Sequence, residues 1–209
     1  MKQLSSPLVI DGDTVKKRLF DVAVLYCTPS SVYKKLASDC YDEYRDARMY
    51  RGYLPVVAHP PCRSWARLRH LAKPLPWERE LALHAVSQVR RCGGVLEHPA
   101  SSLLWDNIPE FGSYQLPPVG ASADEFGGVT LSVYQSDFGH PAPKHTWLYV
   151  VGVRPGELCK VRRPGELCKV RRAGELCKVS NQPSARRMDT PEPFAKLLLS
   201  LAESVVSNG

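Results

Sequence analysis

Apolar positions along the chain fall into short compact runs separated by stretches of helical periodicity. Residues 22–26, 56–59, 95–97, 129–133 and 146–153 are apolar runs bounded by Gly, Pro or polar residues, the pattern of strands covered on both faces. Residues 30–36 read as a short helix capped by Thr28 or Ser30. Residues 77–91 are the clearest helix: Leu81, Ala82, Ala85, Val86 and Val89 share one face. Glu78 and Glu80 sit in its first turn, Arg90 and Arg91 in its last, and Gly93 stops it. Residues 106–128 are rich in Pro and Gly and read as loop. Residues 190–206 predict a final amphipathic helix, with Pro191 near its start and Phe194, Leu197, Leu198, Leu201 and Val205 on one face. Alternating strands and helices predict an α/β domain, a doubly wound, mostly parallel sheet flanked by helices.

The last third breaks this rhythm. RPGELCKVR fills residues 154–162 and again 163–171, and RAGELCKVS fills 172–180. This nine-residue tandem repeat is too short for the common helical solenoids. Each unit opens on a turn-forming Pro-Gly or Ala-Gly and has only Leu, Cys and Val to bury, so an exposed loop or short turns are expected, more an inert expansion than a working element. Residues 154–187 hold ten Lys/Arg against three acids and so carry the whole formal charge of +7; the rest of the 209 residues is net neutral. Such a tract either binds phosphate or is a solvated tail. The organisation expected is a core over 1–153, a flexible basic repeat loop over 154–187, and a helix packing back on the core over 188–209.

Hydrophobic content of 44% and charged content of 23% are those of an ordinary globular protein. No apolar run approaches the roughly 18 residues of a membrane helix. Residues 1–13 lack an apolar stretch long enough for a signal peptide, so a cytoplasmic location and no membrane partner are expected. Seven cysteines with no Cys-x-x-Cys pair suggest neither a disulfide framework nor a structural zinc site, and no metal is expected.

Three segments carry candidate chemistry. His59-Pro60-Pro61-Cys62 follows a predicted strand, where ligands of open α/β sheets bind. The prolines restrict the backbone, and Arg63, Arg67, Arg69 and His70 are expected to lower the thiol pKa. By itself the segment is equally a proline turn with a half-buried cysteine. Glu97 ends the next strand and is either a proton-handling carboxylate at the same rim or a salt-bridged structural acid. Residues 138–145, with a glycine turn, two prolines and the basic pair Lys144 and His145, lead into the apolar run from 146.

Together and in this order, these segments resemble the cytosine-5 DNA methyltransferase family. Pro60-Pro61-Cys62 matches its Pro-Cys nucleophile motif, and Glu97 the Glu of its Glu-Asn-Val motif, with His98-Pro99 in place of Asn-Val. Asp137-Phe138-Gly139-His140-Pro141 and the strand from Trp147 to Gly152 are similar to its Phe-Gly-x-Pro segment. Lys144 and His145 stand near its arginine pair. The likeness spans about residues 20–153 and 188–206, and extends to short phage and prophage methylase-like proteins of bacterial hosts. It implies a Rossmann-like, methyltransferase-type fold, S-adenosylmethionine as cofactor and DNA as partner. The resemblance implies Cys62 as nucleophile, Glu97 on the base edge and Lys144 or His145 as support. Cofactor contacts are expected at Tyr26, Thr28, Ser30 and Pro60, with Asp42 or Asp46 as the ribose acid. Two departures stand out. The stretch 25–33 has no glycine where the family has a glycine loop, and only about 35 residues replace its target-recognition region. Two functions therefore stay open: a base-modifying transferase acting on a flipped cytosine, or an inactive relative that binds nucleic acid as a phage accessory protein.

Overall fold

In a computed structural model, residues 19–67, 69–106, 114–161 and 189–205 are described. Most of the repeat, from residue 162 on, lies outside them, as do residues 1–18. The strands are β1 (Phe20–Leu25), β2 (Ala37–Tyr41), β3 (Val56–Ala58), β4 (Gly94–Pro99), β5 (Val129–Tyr134) and β6 (His145–Val151). The helices are α1 (Glu78–Cys92), α2 (Pro155–Val161) and α3 (Glu192–Glu203).

The six strands form one sheet in the order β2-β1-β3-β4-β6-β5. Three pairings, β1 with β2, β1 with β3 and β3 with β4, are parallel. β6 runs antiparallel to both β4 and β5, so the sheet is mixed rather than mostly parallel throughout. The reason is the short link 135–144 between β5 and β6. A parallel return needs a crossover of roughly a dozen residues or more. β2, which the apolar pattern passes over, is an edge strand, and its sequence Ala-Ser-Asp-Cys-Tyr has no apolar run to announce it.

Side-chain alternation divides the core between the two faces. Val22, Val24, Val57, Val95, Leu148 and Val150 pack against Phe194, Leu198 and Leu201 of α3. Ala23, Leu25, Val56, Ala58, Leu96 and Tyr149 pack with Ala82, Ala85, Val86 and Val89 of α1 on the other. Coverage on both faces explains why β1 and β3 read as unbroken apolar runs. At the start of β4, Gly94 has φ 121, and a Cβ there would lie 2.0 Å from the Val56 carbonyl oxygen, so close β3–β4 packing requires glycine.

The first repeat copy corrects an expectation. Instead of loop, residues 155–161 form α2, with Val161 buried and Leu158 against the α3-side core. Val153, just before it, pairs with Val205, which places the copy beside an apolar surface that its Leu and Val can cover. α3 begins after Pro191, its prolines confined to the first turn, where a missing N–H costs nothing. Among the described residues no helix is long and apolar enough to cross a membrane.

Phe194 is fully buried, its ring centroid 5.2 Å from that of Phe138. Phe194→Ala is expected to destabilise the fold by roughly 3–5 kcal/mol through lost burial and the cavity left. Urea unfolding followed by circular dichroism checks this; a loss under about 1 kcal/mol would show that α3 is not part of the core.

Candidate functional site

β1 has β2 on one side and β3 on the other, so the segments that follow β1 and β3 part at the carboxyl ends of these strands. A cavity of about 890 Å³ lies there. Its walls come from residues 26–33 after β1, residues 59–63 after β3, Glu97, His98 and Pro99 of β4, and Lys144 just before β6. These four segments, far apart in sequence, thus share one space.

Glu97 is its electrostatic centre. The side chain is buried, with one oxygen 2.9 Å from His59 Nδ1 and the other accepting from Gln135 Nε2 at 3.0 Å. Gln135 Nε2 also donates to Thr146 Oγ1 at 3.1 Å, and His59 Nε2 lies 2.9 Å from the Tyr33 hydroxyl. Burial by itself would raise the Glu97 pKa. The His59 hydrogen bond, with the charges of Lys144 and His59, outweighs burial and holds it at about 2. The ionised Glu97 oxygen and His59 Nδ1 share one hydrogen bond, and His59 Nε2 and the Tyr33 hydroxyl share another. Tyr33 stays a phenol, its pKa pushed well up by burial and by the Glu97 charge.

Cys62 is a half-buried free thiol. Its carbonyl accepts from the N–H groups of Trp65 and Ala66, which folds the chain back into a turn behind it. Burial, then the Glu97 charge, raises the thiol pKa, and Lys144 opposes them. This corrects the expectation that the following basic residues would lower it. The Arg63 guanidinium is spent on Glu78, at 2.9 and 2.6 Å, while Arg67, Arg69 and His70 project into solvent.

On the β1 wall, Tyr26, Thr28 and Ser30 line the cavity, as does Pro60 opposite. Tyr26 has φ 64, the one non-glycine positive φ among the described residues, and its hydroxyl meets His84 Nδ1 at 2.7 Å. Ser31, not Thr28 or Ser30, caps the short 3-10 turn Val32–Lys35. Three expected residues stand apart. The Asp42 carboxylate takes Lys34 Nζ at 2.5 Å and the N–H groups of Tyr44 and Arg45, and its neighbour Glu43 lines the cavity instead. Those bonds, led by that from Lys34, hold the Asp42 pKa at about 2. Asp46 is bound by Arg48. His145 lies outside the cavity, stacked on Tyr134 at 4.4 Å with Ser132 Oγ 2.8 Å from its Nε2.

The sequence reading missed His59, Tyr33, Gln135 and Glu43 as site residues. His59 had a signal, being first in the segment that ends in Cys62; Gln135 had none. Among the described residues no group of three or more His, Cys, Asp or Glu is arranged to hold a metal ion. Compared with protein-family models, curated proteins and solved structures, the chain matches none.

The two buried groups at this rim make stability depend on pH in one direction. Burial depresses the His98 pKa from 6.5 to about 4, and Glu97 is lowered from 4.5 to about 2. Both groups bind protons more readily unfolded than folded. Their contribution is therefore complete above pH 6.5; the His98 part is lost down to pH 4, the Glu97 part between 4.5 and 2. Urea unfolding across this range is expected to show a steep acid loss that Glu97→Gln flattens below pH 4.5. An unchanged acid limb in that variant would overturn the assignment.

Proposed function

We propose that this chain is a base-modifying enzyme that uses Cys62 as nucleophile on a cytosine drawn out of DNA, built on a Rossmann-like, doubly wound scaffold. The observation that carries the reading is the convergence of Cys62, Glu97 and Lys144 on one nucleotide-sized crevice at the carboxyl ends of the strands. They are the residues that the resemblance to cytosine-5 DNA methyltransferases singles out. A cytosine ring is inaccessible in a stacked duplex, so the base must enter the crevice from outside the helix.

As thiolate, Cys62 adds to carbon 6; the S–C6 bond forms and the C5–C6 π pair moves to carbon 5. Carbon 5 takes an electrophile and loses its original proton, and the returning pair expels Cys62. With a solvent proton as electrophile, the net result is exchange of the hydrogen on carbon 5. Lys144 supplies positive charge against the developing anion. Glu97, ionised, accepts from the exocyclic amino group of the base by giving up its bond to Gln135 or His59.

S-adenosylmethionine comes with the resemblance, but the β1 wall does not fit it. Side chains from Tyr26 to Ser31 occupy the place of a glycine cradle, and Asp42 is committed to Lys34. No step here runs through that group. The raised thiol pKa and the two internal bonds of Glu97 favour a second reading, a nucleic-acid-binding protein of the same fold, such as a phage accessory factor. In either reading a cytoplasmic location is proposed.

Incubation with DNA carrying tritium on carbon 5 of its cytosines separates the two. Wild type is expected to release tritium to water, read by scintillation counting, and Cys62→Ser to abolish the release. Glu97→Gln is expected to slow it by about 10²-fold or more. Oligonucleotide binding without any tritium release would overturn the enzymatic reading in favour of the binding one.

A further inference from the structure

Outside the crevice, one face of the molecule combines basic and exposed planar side chains. Residues 44–54, which connect β2 to β3, run as a strap along α1. Arg48 lies over the Trp77 ring at 5.5 Å at one end, and Arg91 donates to the Gly52 carbonyl at 2.9 Å at the other. Tyr50 pins the middle: it is buried, its hydroxyl donates to the Leu54 carbonyl at 2.9 Å, and its ring meets Tyr41. With Tyr50 facing in, Tyr44, Met49 and Tyr53 face out, at 84%, 66% and 90% exposure. The Arg48–Trp77 contact joins the strap to the segment 69–79, where Leu71, Leu75 and Trp77 are also exposed. These six account for most of the large apolar side chains exposed among the described residues.

The charge of this face is one-sided. Residues 44–54 and 63–79 hold eight Lys/Arg and two acids. Both acids are engaged internally, Asp46 with Arg48 and Glu78 with Arg63. Arg67, Arg69 and Lys73 make no ion pair among the described residues. A purely apolar partner leaves the arginines unmatched, and a duplex offers phosphates but no ring faces. A single strand offers both: phosphates for the cations, and unstacked bases for tyrosine and tryptophan rings.

We infer that the strap 44–54 together with Arg67 and the segment 69–79 forms a binding face for single-stranded nucleic acid. Bases stack on Tyr44, Tyr53 and Trp77, and Arg67, Arg69 and Lys73 track the backbone. The face adjoins the crevice, because Glu43, next to the strap, and Arg63 both line it. A strand held there delivers an unpaired nucleotide to Cys62 without a duplex having to be opened first. That last step rests on the function proposed above; the binding face does not.

The test is fluorescence anisotropy with a labelled single-stranded DNA of about 12 nucleotides, within the span such sites cover, and with its duplex. Wild type is expected to prefer the single strand. Tyr44→Ala/Tyr53→Ala is expected to weaken that binding by roughly tenfold or more while the thermal melt is unchanged, since both rings are exposed. Arg67→Ala/Lys73→Ala is expected to reduce the salt slope of log K by about 1.4, two phosphates at ~0.7 each. Undiminished binding in the tyrosine variant, a preference for duplex, or no binding by wild type overturns the proposal. So does a dimer in light scattering that the tyrosine variant abolishes, because the face then belongs to a second copy. Lost binding in the tyrosine variant with no tritium release by wild type leaves the face standing and removes the enzymatic reading. Tritium release with undiminished tyrosine-variant binding does the reverse.

Discussion

The Glu97 carboxylate, buried at the carboxyl end of β4, is the constraint on which the site depends. An ionised carboxylate away from water costs several kcal/mol unless its oxygens are well bonded. Here His59 takes one oxygen and Gln135 the other, so β3, β4 and the β5–β6 link are tied at one point. Tyr33 extends the chain to the residues after β1 through His59. The network that keeps Glu97 charged thereby also sets the spacing of the walls around Cys62.

That same charge shapes the chemistry of the thiol. Glu97 and burial favour the neutral form of Cys62, and Lys144 favours the anion. A resting thiol in a half-dry crevice is protected from adventitious reaction.

The two-sided core supports this arrangement without taking part in it. α1 and α3 seal opposite faces of the sheet, so the polar groups collect at the strand ends, where the backbone turns. The strap beyond β2 extends the polar rim along α1. There the inward Tyr50 and the outward Tyr44 and Tyr53 divide one short segment between packing and surface.

Much of this was legible from the chain alone. Buried strands such as 22–25 and 56–58 announce themselves as apolar runs, and the α1 and α3 faces as 3.6-residue periodicities, because both signals are local. The positions of Cys62 and Glu97 at strand ends follow from those same runs. What only the tertiary structure decided is non-local. β2, a polar edge strand, is visible only through its pairing with β1, and the reversal of β6 follows from the length of a link rather than from any strand signal. His59 and Gln135 meet Glu97 from 38 positions away on either side. The thiol shift of Cys62 has the sign set by burial and Glu97, not by the arginines next to it in sequence. Hydrophobic period is carried by neighbours along the chain, whereas charge and hydrogen bonding act through space, and space is set only once the sheet has formed.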